Sequence, residues 1–110
     1  VFVEVNVSGE ATKHGCAPAD VSALVDVVEA SAHLHLAGFM TVGLNSPIEA
    51  DVRAAYAQLR GIRDEASVRL GVGESDLALS MGMSHDLEWA IAEGATIVRL
   101  GTAVFGARRV

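Results

Sequence analysis

Two short stretches of this chain carry residue types that could hold an anion. In Val98-Arg99-Leu100-Gly101-Thr102 a single guanidinium interrupts an apolar run that begins at Ala95. Side chains alternate along a strand, so Arg99 lies opposite Val98 and Leu100 and turns inward only if something polar awaits it. Gly101 has no Cβ to keep a ligand away from backbone N–H groups, and Thr102 adds a hydroxyl. Such a segment can cradle an anion; the alternative is an arginine at a strand end paired with a carboxylate. The second stretch, Ser80-Met81-Gly82-Met83-Ser84, leads from an apolar run straight into a helix start, where free N–H groups and the helix dipole favour negative charge. There Ser84 can act as a simple helix cap, or cap the helix and touch a phosphate as well. His85 follows at once, placed to donate from behind.

The remaining reactive side chains offer less. Cys16 is the only cysteine, so it forms no intramolecular disulfide and has no metal-binding spacing, and a reducing cytoplasm is the simplest compartment. As a nucleophile it needs a positioned base, and His14 at that spacing is a poor candidate. His33 and His35 lie two apart with no third ligand in a matching position, and are read as surface residues. Lys13, the only lysine, lies in a loop with Glu10, where a solvated ion pair is the ordinary outcome. A formal net charge of −6 argues against nucleic acid or anionic membrane as a partner. No apolar run approaches the ~20 residues of a membrane span, and no signal peptide is visible.

These residues need a scaffold, and an apolar share of 51% with 5% aromatic in 110 residues suits one core of Val, Leu, Ala and Ile. Val1 to Val7 alternates as a strand, with Glu4 and Asn6 on one face. Pro18 suits a first helical position, and Val21, Leu24, Val25 and Val28 form one stripe of a helix. Leu34 to Val42 reads as a second strand. Ser46-Pro47-Ile48-Glu49 predicts a capping box opening a helix whose stripe is Val52, Tyr56, Leu59 and Ile62, closed by Gly71. Asp76 to Gly82 is a third strand, and Ser84 or Asp86 caps a short helix burying Leu87, Ala90 and Ile91 and ending at Gly94. The fourth strand carries Arg99.

Four strands alternating with three helices predict right-handed crossovers and a parallel sheet, with ligands at the C-terminal strand ends. Four strands cannot close a barrel, so the chain is a small open sheet or half of an eight-stranded one. It begins without methionine inside a strand-like run, from which a preceding N-terminal half is expected. Its two outer strands would then have open edges, and the 110 residues alone are expected to self-associate.

The segments VNVSGEATKHG (Val5 to Gly15), LAGFMTV (Leu36 to Val42) and LSMGMSHDLEWAIAEGATIVRLGTAVFGAR (Leu79 to Arg108) closely resemble the pyridoxal 5′-phosphate homeostasis protein family, single-domain relatives of the alanine racemase barrel. The resemblance implies a (β/α)₈ TIM barrel, with residues 1–110 as its second half, and pyridoxal 5′-phosphate as cofactor. Carried over by position, it implies that Ser84, Gly101 and Thr102 hold the phosphate, that Met83 lines the site, and that Arg99 faces the pyridine nitrogen. The family's Schiff-base lysine belongs to its first strand, which these residues do not include; Lys13 matches a different, loop lysine.

The implied role is cytoplasmic cofactor storage and delivery to accepting enzymes in vitamin B6 homeostasis, without catalysis. The alternative is a racemase-like enzyme acting on amino acids through the same site. An arginine keeps its proton at ordinary pH, so the ring beside it is a weaker electron sink than one paired with a carboxylate. Racemase relatives also need a histidine after the threonine of their sixth strand and a tyrosine from a second domain, whereas Thr41 is followed here by Val42.

Overall fold

The computed structural model describes residues 1–10 and 14–106. Three short strands form one parallel sheet in the order β1 (Phe2–Glu4), β2 (Gly38–Met40), β3 (Ala78–Ser80), with Val3 opposite Phe39 and Phe39 opposite Leu79. Their buried side chains meet Val21, Val25 and Val28 of α1 (Val21–Ala30) and Val52, Tyr56 and Leu59 of α2 (Glu49–Leu70). Two further helices follow β3: α3 (Leu87–Ala92) and α4 (Thr102–Phe105).

The expectation of four strands and three helices is therefore corrected to three strands and four helices among the described residues. Residues 95–100 do run parallel beside β3, but they share a single bridge, Ser80 to Ile97. The Leu79 carbonyl takes the N–H groups of both Thr96 and Ile97, so the ladder loses its even spacing there. Ile97 and Leu100 stay exposed, and the pairing is one-sided. The fourth helix is a turn that begins at Thr102, immediately after Gly101.

Local sequence explains most of the helix ends. Pro18 opens a short 3₁₀ turn, Pro18–Asp20, that runs into α1, as its fixed φ and missing N–H favour. The buried stripe of α1 is narrower than expected, since Leu24 is exposed. No capping box forms at α2. Ser46 Oγ accepts the Ile48 N–H at 3.1 Å, and the Glu49 carboxylate turns forward to Arg53 at 3.2 Å, so the helix starts at Glu49. Gly71 closes it in the left-handed region, φ 70° and ψ 30°, donating to the Ser67 and Val68 carbonyls, an arrangement that a side chain resists. In α3, Ala90 is buried but Ile91 faces solvent.

Midway along α2, Gly61 is exposed, with nothing within 4 Å of where a Cβ would stand. Gly61→Ala is expected to stabilise the protein by about 0.8–1 kcal/mol, the helix-propensity difference, seen as a raised denaturation midpoint with an unchanged denaturant slope.

Glu93 clamps α3 to α2. Its carboxylate receives Arg53 Nε at 2.7 Å and Arg60 Nη1 at 3.0 Å, while Arg60 also reaches the Glu93 carbonyl at 3.2 Å. The Arg53 hydrogen bond, aided by both guanidinium charges, holds this carboxyl below the ordinary carboxylate value of 4.5. A carboxyl depressed on folding stabilises the native state above its unfolded value and loses that contribution as pH falls through the folded one. The clamp is thus expected to weaken on acidification below about pH 4.5, and Glu93→Gln should flatten that part of the acid limb in a midpoint-versus-pH series.

Candidate functional site

The chemistry-bearing residues gather at the C-terminal ends of the strands. The β3 strand leaves the sheet through Met81, Gly82 and Met83. Gly82 sits at φ 106°, and a Cβ there would stand 2.6 Å from the Ala90 Cβ, so only glycine lets α3 fold back this closely. The Gly82 carbonyl accepts the Arg99 N–H at 2.9 Å, which joins the loop to the segment that carries the guanidinium.

Ser84 does not cap the helix that follows it. Its Oγ instead accepts the N–H groups of Gly101, at 3.2 Å, and Ala103, at 2.9 Å, so it caps α4 from across the site. Position Asp86 opens α3 without a side-chain cap bond; its Oδ1 reaches back to accept the Met83 N–H at 2.8 Å. Ser84, Gly101 and the start of α4 at Thr102 are thus drawn together, with Met83 adjoining Ser84. This cluster has donors and an open backbone, since nothing lies within 4 Å of a Cβ built on Gly101.

Arg99 turns inward, and among the described residues it makes no ion pair. Its Nη2 donates to the Thr41 carbonyl, and its buried Nε has no hydrogen-bond partner. Thr41 is itself fixed, its Oγ1 donating to the Val5 carbonyl at 2.8 Å and accepting the Gly43 N–H at 3.3 Å. Three strand ends therefore aim one guanidinium. A buried N–H without an acceptor costs about 1–3 kcal/mol, and an acceptor supplied by a ligand, such as an aromatic ring nitrogen or an anion, removes that cost.

A pair that the sequence did not announce lies beneath this cluster. Tyr56 O–H donates to Asp86 Oδ2 at 2.6 Å, with both residues buried. Burial first, then the hydrogen bond to Asp86 and its charge, push the phenol well above its ordinary value, so it remains a protonated donor. Tyr56 had the look of one more apolar position on a stripe, and Asp86 that of a helix cap. The available signal was chemical: a tyrosine buried among aliphatic residues needs a partner for its hydroxyl.

The other candidates stand apart. The Cys16 thiol is raised first by burial and then by the charge of Asp20, which keeps it a thiol. His14, His33 and His35 are exposed, and His85 is half-exposed with Nε2 3.5 Å from Asp86 Oδ2. Lys13 lies outside the described residues. Among the described residues no group of three or more His, Cys, Asp or Glu is placed to hold a metal ion, and no helix is long and apolar enough to cross a membrane. A shallow hollow of about 250 Å³ at this face is bordered by Gly43, Asn45, Met83 and His85. A larger groove, about 550 Å³, runs between α1 and α2, away from these residues.

Residues 1–109 match the protein family described as alanine racemase, N-terminal domain. The pyridoxal phosphate homeostasis protein of Pseudomonas aeruginosa is 48% identical over 108 residues, covering 98% of this chain and 44% of the relative. That of Aquifex aeolicus is 43% identical, covering 99% of this chain and 47% of the relative. The chain thus spans less than half the length of these relatives. Among solved structures, PipY of Synechococcus elongatus with pyridoxal phosphate bound superposes with a TM-score of 0.77 at 30% identity, covering 96% of this chain and 48% of PipY. The architecture is accordingly of the α/β TIM-barrel type, of which these strands and helices form a part.

Proposed function

Because the chain belongs to the alanine racemase N-terminal domain family, we propose that residues 1–110 form the second half of an eight-stranded barrel that binds pyridoxal 5′-phosphate in vitamin B6 homeostasis. The observation that carries this reading is Arg99, a half-buried guanidinium whose buried Nε has an unmet N–H, anchored to Thr41 two residues before the Gly101 backbone that faces Ser84. These residues fit the cofactor. Ser84, Gly101 and Thr102 would hold its phosphate, Met83 would line the site, and Arg99 Nε would donate to the ring nitrogen. When bound, the cofactor supplies an aldehyde reactive toward amines, activated by an electron-poor ring.

The chain's own groups bind and orient, and they move no protons. A guanidinium donates a hydrogen bond without giving up its proton, and Tyr56 is spent on Asp86. Val42 stands where the racemase relatives are expected to carry a histidine. The reading is therefore a carrier that stores the cofactor and hands it to accepting enzymes, and the known names of its relatives, pyridoxal phosphate homeostasis proteins, support it. It is tested on the full-length protein by absorbance titration with pyridoxal phosphate, followed by incubation of the loaded protein with a panel of amino acids. Saturable binding without turnover is expected. Steady racemisation or deamination of any amino acid would establish the enzyme reading instead.

A further inference from the structure

The buried Tyr56–Asp86 pair lies outside every role assigned above, and its contacts lead directly to the cradle. Asp86 is 3% exposed and Tyr56 fully buried. Asp86 Oδ2 receives the Tyr56 hydroxyl at 2.6 Å, and Oδ1 receives the Met83 N–H at 2.8 Å. That N–H belongs to the peptide group whose carbonyl, on Gly82, accepts the Arg99 N–H at 2.9 Å. One peptide plane is therefore held at both ends, by a carboxylate on one side and by the Arg99 backbone on the other. The residue that follows this peptide is Ser84, whose Oγ bridges to Gly101 and Ala103. Tyr56 itself comes from a helix on the outer layer, wedged against Gly43, where a Cβ would stand 2.8 Å from the tyrosine oxygen.

We propose that Asp86, oriented by Tyr56, is a positioning residue for the phosphate cradle, fixing the Gly82–Met83 peptide and so the approach of Ser84 to the Gly101–Ala103 backbone. The inference rests on reading that cradle as the phosphate site. A carboxylate suits this task because it accepts two hydrogen bonds at fixed directions, and in a buried setting each is strengthened by its charge. The side chain of Arg99 is anchored separately, by the Thr41 carbonyl. Loosening the peptide should therefore disturb the phosphate side of the site more than the ring side, which the Arg99 N–H still couples to the Gly82 carbonyl.

The test compares pyridoxal phosphate with pyridoxal, which lacks the phosphate, on the full-length protein. Asp86→Ala is expected to lower affinity for pyridoxal phosphate about tenfold, as for one lost charge-assisted hydrogen bond, and to lower pyridoxal affinity by a clearly smaller factor. Asp86→Asn keeps an acceptor for the Met83 N–H and should restore most of the preference. Tyr56→Phe, which keeps the ring and removes only the hydroxyl, should show the same selectivity at about threefold, within the range of a single neutral hydrogen bond, and carries the test if the alanine variant does not fold. Equal losses for both ligands, or none, in the folded variants would overturn the positioning role. A wild-type protein that binds the two ligands equally would instead remove the phosphate-site reading on which it rests.

Discussion

Arg99→Ala in the full-length protein is expected to weaken retention of pyridoxal phosphate by about ten- to a hundredfold, the range of one charge-assisted hydrogen bond of about 1.5–3 kcal/mol. The loss has two sources. The Nε donor disappears, and the Thr41 carbonyl, whose residue is buried at the end of β2, loses the donor that Arg99 Nη2 provides. Arg99→Lys separates charge from geometry. A lysine ammonium is a single point of charge, unable to hold the Thr41 carbonyl and present a second donor in the guanidinium plane. It should recover little of the affinity, although the net charge is unchanged. Equilibrium dialysis of the three proteins against the cofactor measures this, and retention by Arg99→Ala equal to wild type would place the ring nitrogen elsewhere.

Arg99 is the most legible residue of the candidate site, because a lone cation in an apolar run has few physical excuses. The helices were legible for a similar reason: Val21, Val25 and Val28 recur at helical spacing, and Gly71 sits where only a left-handed residue ends α2. What escaped the sequence depends on partners far away along the chain. Ser84 gave every sign of a cap, yet the N–H groups it serves belong to residues 101 and 103. Tyr56 and Asp86 are thirty residues apart and join only because α2 packs against α3, which Asp86 opens. Arg63 occupies a position on the buried face of α2, where its Nη1 donates to the Leu77 carbonyl at 3.3 Å, a role that no local pattern encodes. The strands expected at Val1 to Val7 and Leu34 to Val42 are longer than β1 and β2, since alternation marks residues that face a core and says nothing of where ladder bonds stop. Beyond β1, Val5 pairs with Cys16 in a single bridge, so the first strand is prolonged by its own loop.

Gly38→Ala is expected to cost about 3 kcal/mol or more of stability, placing it in the range reserved for overpacking of a core or a strained backbone. Gly38 begins β2, the central strand, and pairs with Phe2 on one side and Ala78 on the other. A Cβ at this position would stand 2.2 Å from the Ala78 carbonyl oxygen, 2.7 Å from its nitrogen and 2.8 Å from its carbonyl carbon. All three are backbone atoms, so no side chain can swing aside to relieve the clash. Ala78 cannot retreat freely either, because its N–H donates to the Ala37 carbonyl at 2.9 Å. The two strands must part, and the consequence travels three residues along β2 to Thr41, whose carbonyl anchors Arg99 and whose hydroxyl ties β2 to Val5. Gly38→Ala should therefore lower the denaturation midpoint and, in whatever fraction remains folded, also weaken cofactor retention. Gly61→Ala is the matched control: the same chemical change, in open space on a helix, with the opposite sign. A Gly38→Ala protein as stable as wild type would show that β2 and β3 do not approach as closely as this pairing requires.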